Sequence, residues 1–242
     1  MLTKSRIIWQ DFLMKSILPA WHYFLLRHSF YPLALSTLMA CGFLIFRILY
    51  SHTYNYSNLI WNLFLAWLPY LFSLFAFYFY HVDHKRWGLI TFFVVLWLVF
   101  FPNAPYIVTD FYYLDPRPPI PLWFDISLIA IFAFTGCFLA IASLRMIHLM
   151  IDKSLGKIIG WTFALFSLSL ASLGVYLGRF GRYNSWDILL DPRSLIKELV
   201  SNLLNPLDNL GFLGFTIMFT SILFVFYLMF VTASTPTDLE SG

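Results

Sequence analysis

Charge is scarce in this sequence: Asp, Glu, Lys and Arg make up only 11% of its 242 residues, against roughly 25% in a soluble globular domain. A water-facing domain of this length needs a more charged surface, so lipid is the solvent that suits the chain. Cysteine is scarcer still. Cys41 and Cys137 each fall inside an apolar run, which leaves no basis for a disulfide framework or a cysteine metal site. No continuous apolar stretch forms between Lys4 and Lys15, where Gln10 and Asp11 interrupt, so no cleavable signal peptide is expected. A nucleotide-binding glycine loop, an HExxH pair and a GxSxG nucleophile elbow are also missing. His81 and His84 flank Asp83 in an exposed basic loop, a poor metal site, and no metal or cofactor is expected. The formal net charge of +3 gives no reason to expect nucleic acid, because the basic residues lie in loops beside apolar runs.

What is present is hydrophobicity in long runs, with 60% of residues apolar. A helix needs about 20 such residues to cross a bilayer core. Spans are expected at Pro32–Tyr50, Leu59–Tyr80, Gly88–Phe101, Leu122–Leu144, Ile158–Gly178 and Phe212–Ala233. Alternating barrel strands do not occur, and a helix satisfies its own backbone inside lipid. The fold class is therefore all-α, a polytopic transmembrane helix bundle of about six spans. An amphipathic segment over 1–31 precedes the six-span domain (32–233), and a polar tail (234–242) follows it. Between Ser5 and Arg27, Ile7, Ile8, Trp9, Leu13, Ile17 and Trp21 mix with Arg6, Asp11 and Lys15, and Pro19 should kink the stretch. Such a segment lies on a membrane surface.

Lys and Arg in short loops set orientation. Lys4, Arg6, Lys15, Arg27, Lys85, Arg86, Arg145, Lys153 and Lys157 lie on one side; Arg117, Arg179, Arg182, Arg193 and Lys197 lie on the other. The majority places both termini in the cytoplasm, in the inner membrane of a bacterium. In the last large loop, Leu195, Ile196, Leu199, Val200, Leu203 and Leu204 repeat at helical spacing after an Asp191-Pro192 start signal. Pro192–Leu204 thus reads as an outer interfacial helix or as a cap over the bundle. In the fifth span Ala164, Ser167, Ala171, Gly174 and Gly178 form a small-residue seam that suits close helix packing.

The third span continues past its expected end, and Pro102 and Pro105 bracket Asn103 and Ala104. Each proline removes a donor and displaces a carbonyl four residues back. Either the helix breaks and lines a site, with Asn103 as a ligand-facing amide, or it ends at Pro102 and the chain exits. Asp110 follows the break, and Asp125 opens the fourth span, where a first-turn carboxylate also suits the helix dipole. Arg179 and Arg182 share a face if the fifth helix persists, and paired guanidinium forks suit a phosphate or carboxylate. The same arginines could instead lock onto Asp110 or Asp125 as structural pairs. Asn62, Asn103, Asp110, Asp125, Arg179, Arg182, Asn184 and Asp187 all map to the outer side and form the candidate site. Arg47 is left out of the orientation count as part of a span. The middles of the spans lack ionisable residues, which counts against a proton-coupled pump.

FPNAPYIVTD, the following PLWFD and YLGRFGRYNSWD resemble the bacterial membrane family called domain of unknown function 1361, over roughly Leu59 to Phe230. FPNAPY and GRxxRxNSWD are the specific blocks. The resemblance implies a multi-pass membrane protein and carries over no activity or ligand. Three readings remain open: an outer-leaflet site for an anionic lipid or envelope precursor, a non-catalytic scaffold with membrane lipids as its surroundings, and a transporter or channel. A closed, ion-paired outer face favours the scaffold. A groove open sideways to lipid favours the lipid site, and an axial vestibule favours transport. Reporter fusions should place Lys85, Lys153 and Gly242 in the cytoplasm and Asn55, Arg117 and Lys197 outside; a cytoplasmic signal at Lys197 would overturn the six-span topology.

Overall fold

A computed structural model describes residues 20–82, 86–181, 193 and 209–234. The segment expected over Pro192–Leu204 (apart from Arg193), the chain before Ala20, the polar tail, and the His84 and Asp83 pair lie outside the described residues. Among the described residues the chain is helical: α1 (Ala20–Arg27), α2 (Phe30–Ser51), α3 (Asn58–Val82), α4 (Trp87–Phe100), a short α5 (Asn103–Tyr106), a 3₁₀ helix (Ile107–Tyr113), α6 (Leu122–Leu155), α7 (Lys157–Arg179) and α8 (Leu210–Ser234). Counting α4, α5 and the 3₁₀ helix as one, six helical segments are long and apolar enough to cross a membrane. Large apolar side chains face outward along them, among them Leu38, Leu49, Phe166, Ile158 and Met229. A soluble monomer does not tolerate such extensive apolar exposure; in lipid it is the favourable surface.

α6 is the central helix. Of its most apolar stretch 61% is buried, against 22% for α2 and α8. It packs against α2, α3, α7 and the 3₁₀ helix. Its 34 residues span about 51 Å at 1.5 Å per residue, well beyond a hydrocarbon core of roughly 30 Å. The expected end at Leu144 is therefore too early. Arg145, His148 and Asp152 look like a loop in hydropathy, yet they fall at intervals of three and four along one helix face, with His148 fully buried. The helix stops at Gly156, whose φ of 98° is a backbone conformation that suits glycine. Gly156 donates its N–H to the Asp152 carbonyl at 3.1 Å and accepts from the Gly160 N–H at 3.0 Å. One residue thus ends α6 and begins α7.

The third span neither exits at Pro102 nor opens into a gap. Phe101, Pro102, Tyr106 and Ile107 all keep right-handed helical angles, and the backbone bonds shift around the prolines. Pro105 has no N–H for the Phe101 carbonyl, so the Ala104 N–H bonds it instead, at 3.2 Å. That leaves the Phe100 carbonyl, which the Asn103 side-chain amide reaches at 3.0 Å. Asn103 thereby repairs the helix, an answer to the freed backbone that membrane depth demands.

Two glycines press on this proline-bracketed turn. A Cβ on Gly136 of α6 would collide with the Ala104 carbonyl oxygen, and one on Gly174 of α7 would lie 2.8 Å from Cβ and Cγ of Pro102. Ala164, Ser167 and Ala171 of the same α7 seam are fully or almost fully buried. A proline ring and a main chain cannot move aside cheaply, so close approach depends on glycine here. Gly174→Ala should cost about 1–3 kcal/mol by overpacking, read as lost folded fraction in a denaturant titration in mixed micelles. Gly42→Ala, where nothing lies within 4 Å, should be neutral or slightly stabilising. Equal effects at both positions would remove the close-packing account.

Candidate functional site

One end of the bundle gathers α2's last turns, α3's first, the 3₁₀ helix, the start of α6 and the end of α7. A charge at the edge of hydrocarbon is costly unless it is paired or hydrated. Here pairing prevails. Arg179, the last residue of α7, donates from Nη2 to Asp110 Oδ1 at 2.6 Å and from Nε to Thr109 Oγ1 at 2.7 Å. Asn62 of α3 donates from Nδ2 to the other Asp110 oxygen at 2.9 Å. The side chains of Arg179 and Asp110 are only 4% and 2% exposed. Three spans therefore meet at one carboxylate.

Asp125 is paired as completely, with a residue that reading the sequence set aside. Arg47 on α2 meets it through two bonds, Nε to Oδ1 at 2.6 Å and Nη2 to Oδ2 at 3.0 Å, and both side chains are wholly buried. This parallel fork is the geometry that arginine offers a carboxylate and lysine does not. The third nitrogen, Nη1, donates to Thr53 Oγ1 at 3.4 Å. An arginine inside an apolar helix signals a buried partner, and Asp125 is that partner.

Tyrosines join the two pairs. The Tyr56 ring has the Arg47 guanidinium at 4.8 Å and that of Arg117 at 4.7 Å. Its hydroxyl donates to the Tyr113 carbonyl at 3.4 Å. Tyr113 and Tyr106 in turn lie under Arg179, at 4.9 and 4.5 Å. Such stacking favours a desolvated guanidinium. Tyr56 adopts a φ of 65°, a left-handed conformation that costs a non-glycine residue roughly 1–3 kcal/mol and persists where surroundings enforce it. Its position beside two arginines supplies that enforcement.

Of the eight candidate residues, the structure brings Asn62, Asp110 and Arg179 into mutual contact and ties Asp125 to Arg47. Asn103 contacts the backbone of its own helix. Arg182, Asn184 and Asp187 lie outside the described residues. Arg47, Thr53, Tyr56, Tyr113 and Arg117 were missed; apart from Arg47, nothing in their spacing separates them from ordinary interfacial residues. Arg117 differs from the other two arginines. It is half-buried, reaches the Tyr113 carbonyl at 3.5 Å and has no carboxylate partner among the described residues. No group of three or more metal-ligating side chains occurs among the described residues.

A cleft of about 360 Å³ lies elsewhere, between α2, α6 and α8, with Ser29, Leu33, Ser36, Thr135, Phe138 and Phe230 on its walls. Thr135 is ten residues from Asp125, about 15 Å along the helix. No ionisable side chain lines the cleft.

A family model described as "protein of unknown function (DUF1361)" matches residues 61–227, more than half of the chain. No curated protein and no solved structure matches. Removing one partner of a buried pair strands a charge, whereas replacing both by apolar residues is often neutral or better. Arg47→Leu should therefore cost about 3–5 kcal/mol in a denaturant titration in mixed micelles. Arg47→Leu with Asp125→Leu should recover most of that loss; a double variant as unstable as the single one would contradict purely structural pairing.

Proposed function

We propose a non-catalytic scaffold role, from the premise that the chain belongs to the family described as protein of unknown function (DUF1361) and is a multi-pass membrane protein. The observation that carries this reading is the burial and internal pairing of the two arginines. Arg47 has a partner at all three nitrogens. Arg179 has Asp110 and Thr109, and its guanidinium stacks on the Tyr106 and Tyr113 rings. A guanidinium that binds a substrate phosphate or carboxylate must present accessible donors, and with side chains only 0% and 4% exposed these two turn theirs inward. Asp110 likewise has an amide and a guanidinium on its two oxygens, so both oxygens are engaged inside the bundle. The closed face therefore supports a clamp that holds five helical segments in register.

In this reading the paired end faces away from the cytoplasm, and its closed face is what other envelope components meet. A membrane-embedded site for an anionic lipid or envelope precursor is the second reading. Arg117 supports it, as a half-exposed cation that reaches the exposed Tyr113.

Lipid and metabolite mass spectrometry on protein purified in mild detergent separates the two. The scaffold reading expects no anionic lipid or precursor at constant stoichiometry. A stoichiometric anionic species that disappears in Arg117→Gln, with folding retained, would overturn it in favour of the lipid site.

A further inference from the structure

A second buried polar cluster stands at the opposite end of the bundle, and the clamp does not use it. Arg145, His148 and Asp152 share one face of α6, and Tyr227 of α8 reaches into it. His148 and Tyr227 are fully buried. The Tyr227 hydroxyl lies 2.5 Å from His148 Nδ1. The other ring nitrogen, Nε2, faces Asp152 Oδ1 at 3.1 Å, yet neither of these two buried atoms has a well-aligned hydrogen bond. Arg145 is the other charge acting on His148, and it acts on Tyr227 as well. α7 contributes Trp161, whose ring centre is 4.8 Å from that of His148. It also contributes Gly160, whose missing Cβ leaves the space that the Asp152 carboxylate fills. Neither carries charge.

We propose that Asp152, His148 and Tyr227 form a proton-binding site, with H⁺ as its ligand, whose occupancy sets how tightly α8 is held to the bundle. Neutral imidazole has one donor and one acceptor nitrogen. With Nε2–H on the Asp152 side, Nδ1 accepts the Tyr227 O–H. Every partner then has a role, and α8 is latched to α6. A proton added at Nδ1 turns that acceptor into a donor toward the hydroxyl oxygen. The Tyr227 O–H is then left without an acceptor in a buried site, while the new positive charge is stabilised by Asp152 and opposed by Arg145. The site releases α8 on acidification without breaking the Asp152 contact.

Access and position fit this chemistry. The Asp152 side chain is 20% exposed, which gives a proton a route from water. His148 is 23 residues beyond Asp125, about 35 Å along α6, past a hydrocarbon core of roughly 30 Å. The latch also has leverage, because α8 touches α6 sparsely and depends mainly on α7.

Hydrogen–deuterium exchange of α8 peptides, in the full chain in nanodiscs between pH 8 and pH 5 and corrected for intrinsic exchange, tests the proposal. Acidification should speed α8 exchange roughly fivefold or more in one step, the fold-change expected when one buried donor is left without an acceptor. His148→Gln should abolish the step. Tyr227→Phe should exchange fast already at pH 8 and stay flat, and it decides the matter if His148→Gln does not fold. His28 at the same end does not confuse the result: burial, then Arg27 and His81, lower it to about 4. An α8 profile flat with pH in the unaltered protein, or a step that survives in either variant, would overturn the proposal.

Discussion

The rest of the structure depends on one constraint, the need of a charge near hydrocarbon to find its opposite. Asp110 and Asp125 stand on different spans and both are buried, at 2% and 0% exposure. In water each would be solvated at no structural consequence. In lipid an unpaired carboxylate is excluded, so Arg179 and Arg47 must arrive from two further helices. Each pairing removes freedom from a helix that lipid alone would leave to drift, since lipid supplies no hydrophobic drive between spans.

The pairing works only because the backbones are already close. Gly174 rests on Pro102 and Gly136 on Ala104, which fixes the height of the third span against α6 and α7. Five residues beyond Gly174, Arg179 is then level with the end of the 3₁₀ helix that carries Asp110. The tightening of the span from α to 3₁₀ turns Thr109 and Asp110 inward. Prolines that look like a break in the sequence thus act as a fixed bend, sealed by Asn103 and held by two glycines.

Hydropathy made the six spans legible, because the length of an apolar run is a direct consequence of bilayer thickness. It placed the end of α6 eleven residues early, since His148 is polar by type but buried by position, and a one-dimensional window does not see the neighbouring α7 and α8. Asp110, Arg179 and Asn62 were legible as outer polar residues, though their mutual contact was not, as nothing local encodes which helices adjoin. Arg47 was the avoidable miss. Its sign and depth matched Asp125 at the same end, and charge balance alone would have paired them. Tyr56 was beyond reach, because its left-handed backbone follows from contacts made only in the folded bundle.

The account's central claim is that Arg47 and Arg179 are buried and paired within the protein and are closed to ligands. Nitrogen NMR of arginine Nε–H groups in nanodiscs, titrated with anionic phospholipid against a zwitterionic background, reads one paired donor of each directly. The account predicts slowly exchanging Arg47 and Arg179 signals that do not move with anionic lipid. A saturable shift of either signal would contradict it, because a donor held by Asp125 or Thr109 would then have been free to bind.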